Sequence, residues 1–262
     1  MSLTAEELRA AADLLDTARL SRVPTAPLTA RYPTLSVDNA YAIQKINLDR
    51  RLRVGHTVVG HKIGLTSEPM QTLLGVDEPD FGYVLDDMVA PDGGRITADR
   101  FCAPRVEPEI AFLLHTALRG PGVTADDVRA ATEAVAVALE IVDSRVADWQ
   151  ITLPDTVADN ASSGAVVLGE WVPFSASLDL PNARASLRLN DTEIDTGLGS
   201  AVLGDPAAAV AWLANALETY DIDIAAGQFV MSGSFTSAAF IRPGDRADAT
   251  ITGLGTVSLH ID

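Results

Sequence analysis

The spacing of apolar and polar positions changes character near residue 56. Before that point the repeat is helical. Thr4 followed by Glu7 forms a capping-box signature, and Leu8, Leu14 and Leu15 continue along one helical face. A loop containing Pro24, Pro27 and Pro33 leads to a second amphipathic helix from about Val37. It is predicted to turn Tyr41, Ile43, Ile46 and Leu52 inward and to stop at Gly55. Residues 1–56 are thus read as an N-terminal helical segment.

Residues 57–262 read as a β-rich domain, built from short apolar or β-branched runs separated by Gly, Asp and Pro. Strands are predicted over 58–65, 81–85, 106–114, 135–142, 166–168, 185–189, 229–232, 247–251 and 257–261. Thr66 or Ser67 opens a short helix that Gly75 ends. Thr124, with Asp127 three residues on, opens another, and Asp205-Pro206 a third with a stripe of Val210, Leu213 and Leu217. Strands come in runs rather than strictly alternating with helices, which points to an α+β architecture over a Rossmann or TIM arrangement. No internal repeat, low-complexity segment or Gly-rich phosphate loop interrupts this pattern.

Charge narrows the partners. Thirty-six acidic against nineteen basic side chains give a net charge of −17, which repels nucleic acid and anionic membrane surfaces. An anionic substrate would be repelled too, unless a cation at the site reverses the local field. The chain is 47% hydrophobic, but no apolar stretch looks long enough for a membrane helix, and the first residues lack a secretory signal. The single cysteine, Cys102, read as buried filler, suits a reducing compartment. The expected location is the cytoplasm.

Within 104–112 side chains alternate, so Glu107 and Glu109 face one way and Val106, Ile110 and Phe112 the other. Pro108 cannot donate to a ladder, which predicts an edge strand or a bulge. Glu140 interrupts a run otherwise built for burial, and a buried acid needs a partner. Carboxylates ~4 Å apart repel by several kcal/mol, so a cluster of the three requires protons or a cation. All-oxygen ligation points to Mg²⁺ or Mn²⁺. The same residues also fit a solvated strand face for Glu107 and Glu109, and a salt bridge from Glu140 to Arg105 or Arg145. Asp143 and Arg145 are expected to form a structural ion pair.

Lys62 lies mid-strand between Gly60 and Gly64. Buried beside a metal, its pKa would fall and it would exchange protons near neutrality; otherwise it is an exposed edge-strand charge. Asp80, in a turn-like Pro79-Asp80-Phe81-Gly82, either pairs with Lys62 or serves the turn. The segment 155–163 is dense in hydrogen-bonding groups and is expected to line a pocket, with Ser162 donating to a substrate oxygen. No Ser-His-Asp spacing, nucleophile elbow or zinc signature is present.

At these residues the chain resembles the 2-keto-4-pentenoate hydratase family, also called 2-hydroxypenta-2,4-dienoate hydratases, within the fumarylacetoacetate hydrolase superfamily. The matching stretches are 61–67, 71–83, 104–112, 139–149, 155–163 and 232–236 followed by Gly244-Asp245. The resemblance implies a mixed β-roll or incomplete barrel behind a helical segment, assembled into homo-oligomers such as pentamers or decamers. It implies Mg²⁺ or Mn²⁺ held by Glu107, Glu109 and Glu140, chelated by the carboxylate and 2-oxygen of a small 2-hydroxydienoate. Lys62 and Asp80 would move protons, Leu65, Asp155 and Ser162 would contact substrate, and water would add to the terminal double bond, giving a 4-hydroxy-2-oxo acid from aromatic or steroid ring breakdown. Hydrolytic and decarboxylating relatives often carry a lysine before Asp155, whereas 150–154 holds none. A 4-oxalocrotonate-type 2-oxo-3-enedioate decarboxylase is the alternative, although no extra basic residue for a second carboxylate is evident. A non-catalytic metal-binding partner subunit is a third reading.

Overall fold

A computed structural model describes residues 3–262, apart from the side chains of Met70, Leu73 and Leu74. Helix α1 (Ala5–Ser21) starts at the anticipated capping box: Thr4 Oγ1 accepts from the Glu7 N–H, and Glu7 returns an acceptor to the Thr4 N–H at 2.8 Å. Helices α2 (Leu28–Arg31) and α3 (Val37–Arg53) follow. Leu15, Leu28, Ala40 and Ile43 form an apolar core with Leu153 and Val157 of a later helix. Leu52 does not join it and is 39% exposed. The end of α3 and the two residues after it, 52–55, are exposed.

The remaining strands are β1 (Val58–Gly64), β2 (Asp80–Leu85), β3 (Val89–Pro91), β4 (Gly94–Ile96), β5 (Arg105–Leu114), β6 (Thr132–Val142), β7 (Ser163–Leu168), β8 (Val172–Pro173), β9 (Arg184–Leu189), β10 (Thr192–Leu198), β11 (Phe229–Met231), β12 (Ala239–Phe240), β13 (Arg246–Ile251) and β14 (Gly255–Ile261). Helices α4 (Glu68–Leu74), α5 (Ala125–Ala131), α6 (Leu153–Ala158) and α7 (Pro206–Glu218) are interspersed. The nine-stranded sheet is a curled half-barrel in the order β2-β1-β11-β5-β6-β7-β3, with β12 pairing to β5 and β8 to β6. A five-stranded sheet runs β10-β9-β13-β14-β4. The architecture is mixed α+β, as the clustering of strands suggests.

Alternation decides which face of β5 and β6 does what. Val106, Ile110 and Phe112 of β5, with Val135, Val137, Leu139 and Ile141 of β6, enter one core with Leu187, Ala249 and Leu259 of the second sheet. The glutamates leave by the other face.

The edge-strand expectation for Pro108 is corrected. Strand β5 is central, paired to β6 along its length and to β11 and β12 on its other side. Pro108 falls in the gap between β11 and β12, where its missing N–H breaks no ladder and its carbonyl accepts the Phe235 N–H.

The stretch 199–218, 20 residues at mean hydropathy 1.2, is by length and composition apolar enough to cross a membrane. Within it α7 buries Ala207, Val210, Leu213 and Leu217 in the main core, as a core helix does.

Candidate active site

Register brings the acids together. In the antiparallel β5–β6 pair Glu107 stands directly opposite Glu140, and Glu109 follows two residues along the same face. One carboxylate oxygen from each lies within 4.8 Å of the others. Glu109 and Glu140 are 1% and 0% exposed, while Glu107 opens partly onto a cleft. The Gly233 N–H donates to Glu109 at 2.8 Å. Both Glu140 oxygens are buried and, among the described residues, accept no well-aligned hydrogen bond.

Lys62 on β1 approaches Glu140 to 3.4 Å and donates to the Ala161 carbonyl at 2.7 Å. The salt bridge from Glu140 to Arg105 or Arg145 is therefore not formed; Lys62 is its cation. At these distances and an effective dielectric of 20, each carboxylate pair repels by about 3.5 kcal/mol and the lysine attracts Glu140 by about 5 kcal/mol. A single lysine does not neutralise three mutually repelling carboxylates. Burial first, then Glu140, pushes the Glu107 carboxyl up to about 7. Burial, Glu140 and Glu107 hold Glu109 well above the usual carboxylate range, and burial raises Glu140 against the pull of Lys62. Lys62 departs from expectation. Burial lowers its pKa, but Glu140, Asp80, Glu109 and Glu107 together outweigh that and raise it, so the amine keeps its proton.

Asp80 is no turn residue but the first residue of β2, 1% exposed and paired in register with Gly64. A Cβ on Gly64 would lie 2.2 Å from Asp80 Oδ1 and 3.2 Å from Lys62 Nζ, so the missing side chain leaves room for both groups to point into the cleft. Burial raises the Asp80 carboxyl despite Lys62. Thr156 Oγ1 donates to Asp80 Oδ2 at 3.3 Å and lies 3.2 Å from Ser162 Oγ, linking the three side chains.

Three consecutive non-glycine residues, Asn160, Ala161 and Ser162, take left-handed φ of 57°, 49° and 55°. Such backbone costs roughly 1–2 kcal/mol per residue and needs outside support. The Asn160 amide supplies some, bonding the Tyr83 N–H and carbonyl at 2.9 and 3.0 Å. Arg145 supplies more, through Asp159 and the Ser163 carbonyl. Its anticipated pairing with Asp143 is a distant 3.9 Å. Asp143 instead accepts the Cys102 and Ala103 N–H groups, fixing the approach to β5. Cys102 is half-buried.

The cleft, of about 1020 Å³, is lined by Lys62, Leu65, Asp80, Glu107, Thr156 and Ser162 among others. Leu65 has a left-handed φ of 56°, and Gln71 donates to its carbonyl at 2.9 Å. Asp155 does not line it, which corrects the reading of that residue as a substrate contact. Its oxygens accept from the N–H and hydroxyl groups of Thr29 and Thr152, tying α2 to the start of α6. Sequence reasoning missed Arg105 as a cleft residue, although its place two residues before Glu107 was signal enough. A second group, half-buried His56 with exposed Asp86 and Asp87, is already paired: His56 with Asp86 and Arg51 with Asp87.

The fumarylacetoacetate (FAA) hydrolase C-terminal model matches residues 53–262. A 2-hydroxyhexa-2,4-dienoate hydratase of Comamonas testosteroni is 48% identical over 237 residues, 90% of each chain. A 2-keto-4-pentenoate hydratase of Paraburkholderia xenovorans (strain LB400) is 43% identical over 99% of this chain and 97% of its own. Among solved structures, the 4-oxalocrotonate decarboxylase from Pseudomonas putida G7, complexed with magnesium and adipate, superposes with a TM-score of 0.96 at 33% identity over 99% of both chains.

Proposed function

The chain belongs to the fumarylacetoacetate hydrolase family, and we propose that within it the protein is a divalent-metal-dependent hydratase of 2-hydroxy-2,4-dienoates, a hydro-lyase of aromatic catabolism. The observation that carries this reading is the convergence of Glu107, Glu109 and Glu140, with both Glu140 oxygens buried and, beyond the Lys62 ion pair at 3.4 Å, short of hydrogen-bond donors among the described residues. Clustered buried carboxylate oxygens with too few donors fit a hard cation, and an all-oxygen donor set suits Mg²⁺ or Mn²⁺. When bound, the ion supplies a Lewis acid that offsets the chain's negative field and favours charge on the substrate's 2-oxygen.

The residues do the rest. Lys62, kept protonated by its acidic neighbours, stabilises negative charge at the substrate's reacting end. Asp80 has a carboxyl raised by burial and so takes up and returns a proton there. In the net reaction the 2-hydroxyl proton is lost, the distal carbon gains a proton, and water adds its hydroxyl to C4 and a proton to C3. Ser162, supported by the strained 160–162 turn, is the substrate-facing hydroxyl. Leu65 and the apolar wall around it keep bulk water off the diene.

The decarboxylase alternative rests on the structural neighbour, but the hydratases share 43–48% identity against its 33%. Mg²⁺-dependent loss of 2-hydroxypenta-2,4-dienoate absorbance tests the hydratase. Release of CO₂ from 2-oxohex-3-enedioate, with the dienoate left unchanged, would establish the decarboxylase instead.

A further inference from the structure

One end of the cleft carries a cation that, among the described residues, no carboxylate of the protein pairs with. Arg105 opens β5, and its side chain leaves on the face that also bears Glu107 and Glu109. Phe240, its direct partner across β12, brings its ring centroid to 4.2 Å from the guanidinium carbon, and Trp149 to 4.3 Å. Trp149 is set by left-handed backbone at Asp148 and Trp149, both at φ 55°, and by its indole N–H on the Ala103 carbonyl at 3.1 Å. With ring faces against the guanidinium, the direction left for hydrogen bonding is its edge. Arg105 Nε is buried with no acceptor, and the side chain forms no ion pair among the described residues. Lys62, the other cation lining the cleft, is already engaged by Ala161 and Glu140.

Strand order fixes where this cation stands. Lys62 is on β1, whose parallel partner β11 pairs with residues 111–113 of β5. The glutamates therefore lie between Arg105 at one flank and Lys62 with Asp80 at the other. A 2-hydroxydienoate has its carboxylate at C1 and its proton- and water-accepting carbons at the far end. We propose that Arg105 is a specificity-determining residue that receives the C1 carboxylate of the substrate, its planar fork matching the two oxygens. This rests on reading the cleft as the dienoate site.

The test measures binding by calorimetry in the Mn²⁺-loaded protein, using 2-oxobutyrate, with one carboxylate at its head, and 2-oxoadipate, with a second at its tail. Mn²⁺ affinity is measured separately. In Arg105→Met both ligands should weaken by about ten- to hundredfold, the loss expected for a charge-assisted hydrogen bond, with Mn²⁺ affinity little changed. Arg105→Lys should recover part of the loss, and Phe240→Ala should weaken both ligands severalfold by freeing the guanidinium. If only 2-oxoadipate weakens, Arg105 reads a tail and the proposal fails. It fails also if neither weakens, or if Mn²⁺ affinity falls in parallel. A wild-type protein that binds 2-oxobutyrate through Arg105 but hydrates no dienoate would sink the hydratase reading and leave the head contact standing.

Discussion

Replacing Glu107 by Gln should stabilise the metal-free protein above neutral pH and remove the stabilisation that a divalent ion confers. The Glu107 carboxyl is raised from 4.5 to about 7, by burial first and Glu140 next, with Lys62 and Arg105 opposing. A raised folded-state value means that the folded chain holds this proton more tightly than the unfolded chain between those two pH values. Stability is thus lost as pH rises through that window, and the loss is complete above about 7. A rise of this size corresponds to about 3 kcal/mol, which solvent entering from the cleft reduces to about 1–2 kcal/mol. Gln keeps the shape and sheds the penalty. It also gives up a charge from the proposed metal site, whereas wild type with ion at a hundred times its dissociation constant should gain about 2.7 kcal/mol. Thermal unfolding followed by circular dichroism from pH 4.5 to 8.5, in chelator and then in Mg²⁺, reads both effects. The two proteins should differ least at pH 4.5, and the variant should be the more stable at pH 8.5 in chelator. A variant less stable there would show that Glu107 carries no such charge penalty, and one equally stabilised by Mg²⁺ that it holds no ion.

Lys62→Met should lower kcat by about 10²–10⁴ while Mn²⁺ affinity, measured by calorimetry, survives; near-normal turnover would remove Lys62 from the chemistry. Gly64→Ala places a methyl 2.2 Å from Asp80 Oδ1, so turnover should fall at least about tenfold with the metal site intact, and full activity would show that Asp80 need not stand there. Asp155→Ala should cost about 1–3 kcal/mol of stability by orphaning the Thr29 and Thr152 donors without raising KM; a higher KM at unchanged stability would return Asp155 to the substrate.

What the sequence disclosed follows from how local each signal is. Glu107 and Glu109 were legible because strand periodicity is strict, and Glu140 because a lone acid in an apolar run asks for a partner. Caps at Thr4, Thr124 and Asp205 were legible for the same reason, each being satisfied within a few residues. Pro108 misled, since whether a missing N–H faces a ladder or a gap depends on β11 and β12, over a hundred residues away in the chain. The raised pKa of Lys62 likewise depends on four acids from other strands. The left-handed run at Asn160, Ala161 and Ser162 carries no glycine to announce it; Tyr83 and Arg145 impose it from outside. Strand β10 escaped detection because its residues are half-exposed to exposed and largely polar, as an outermost strand permits. Asp155 looked like pocket chemistry in composition, yet Thr29 claims it from the N-terminal helices.

Crystals grown in Mn²⁺ and measured for anomalous scattering test most directly whether three glutamates from two strands hold one hard ion. A peak is expected between residues 107, 109 and 140, with carboxylate oxygens at about 2.0–2.3 Å. A peak confined to His56, Asp86 and Asp87, or a void among the three glutamates at saturating Mn²⁺, would show that these carboxylates hold no such ion.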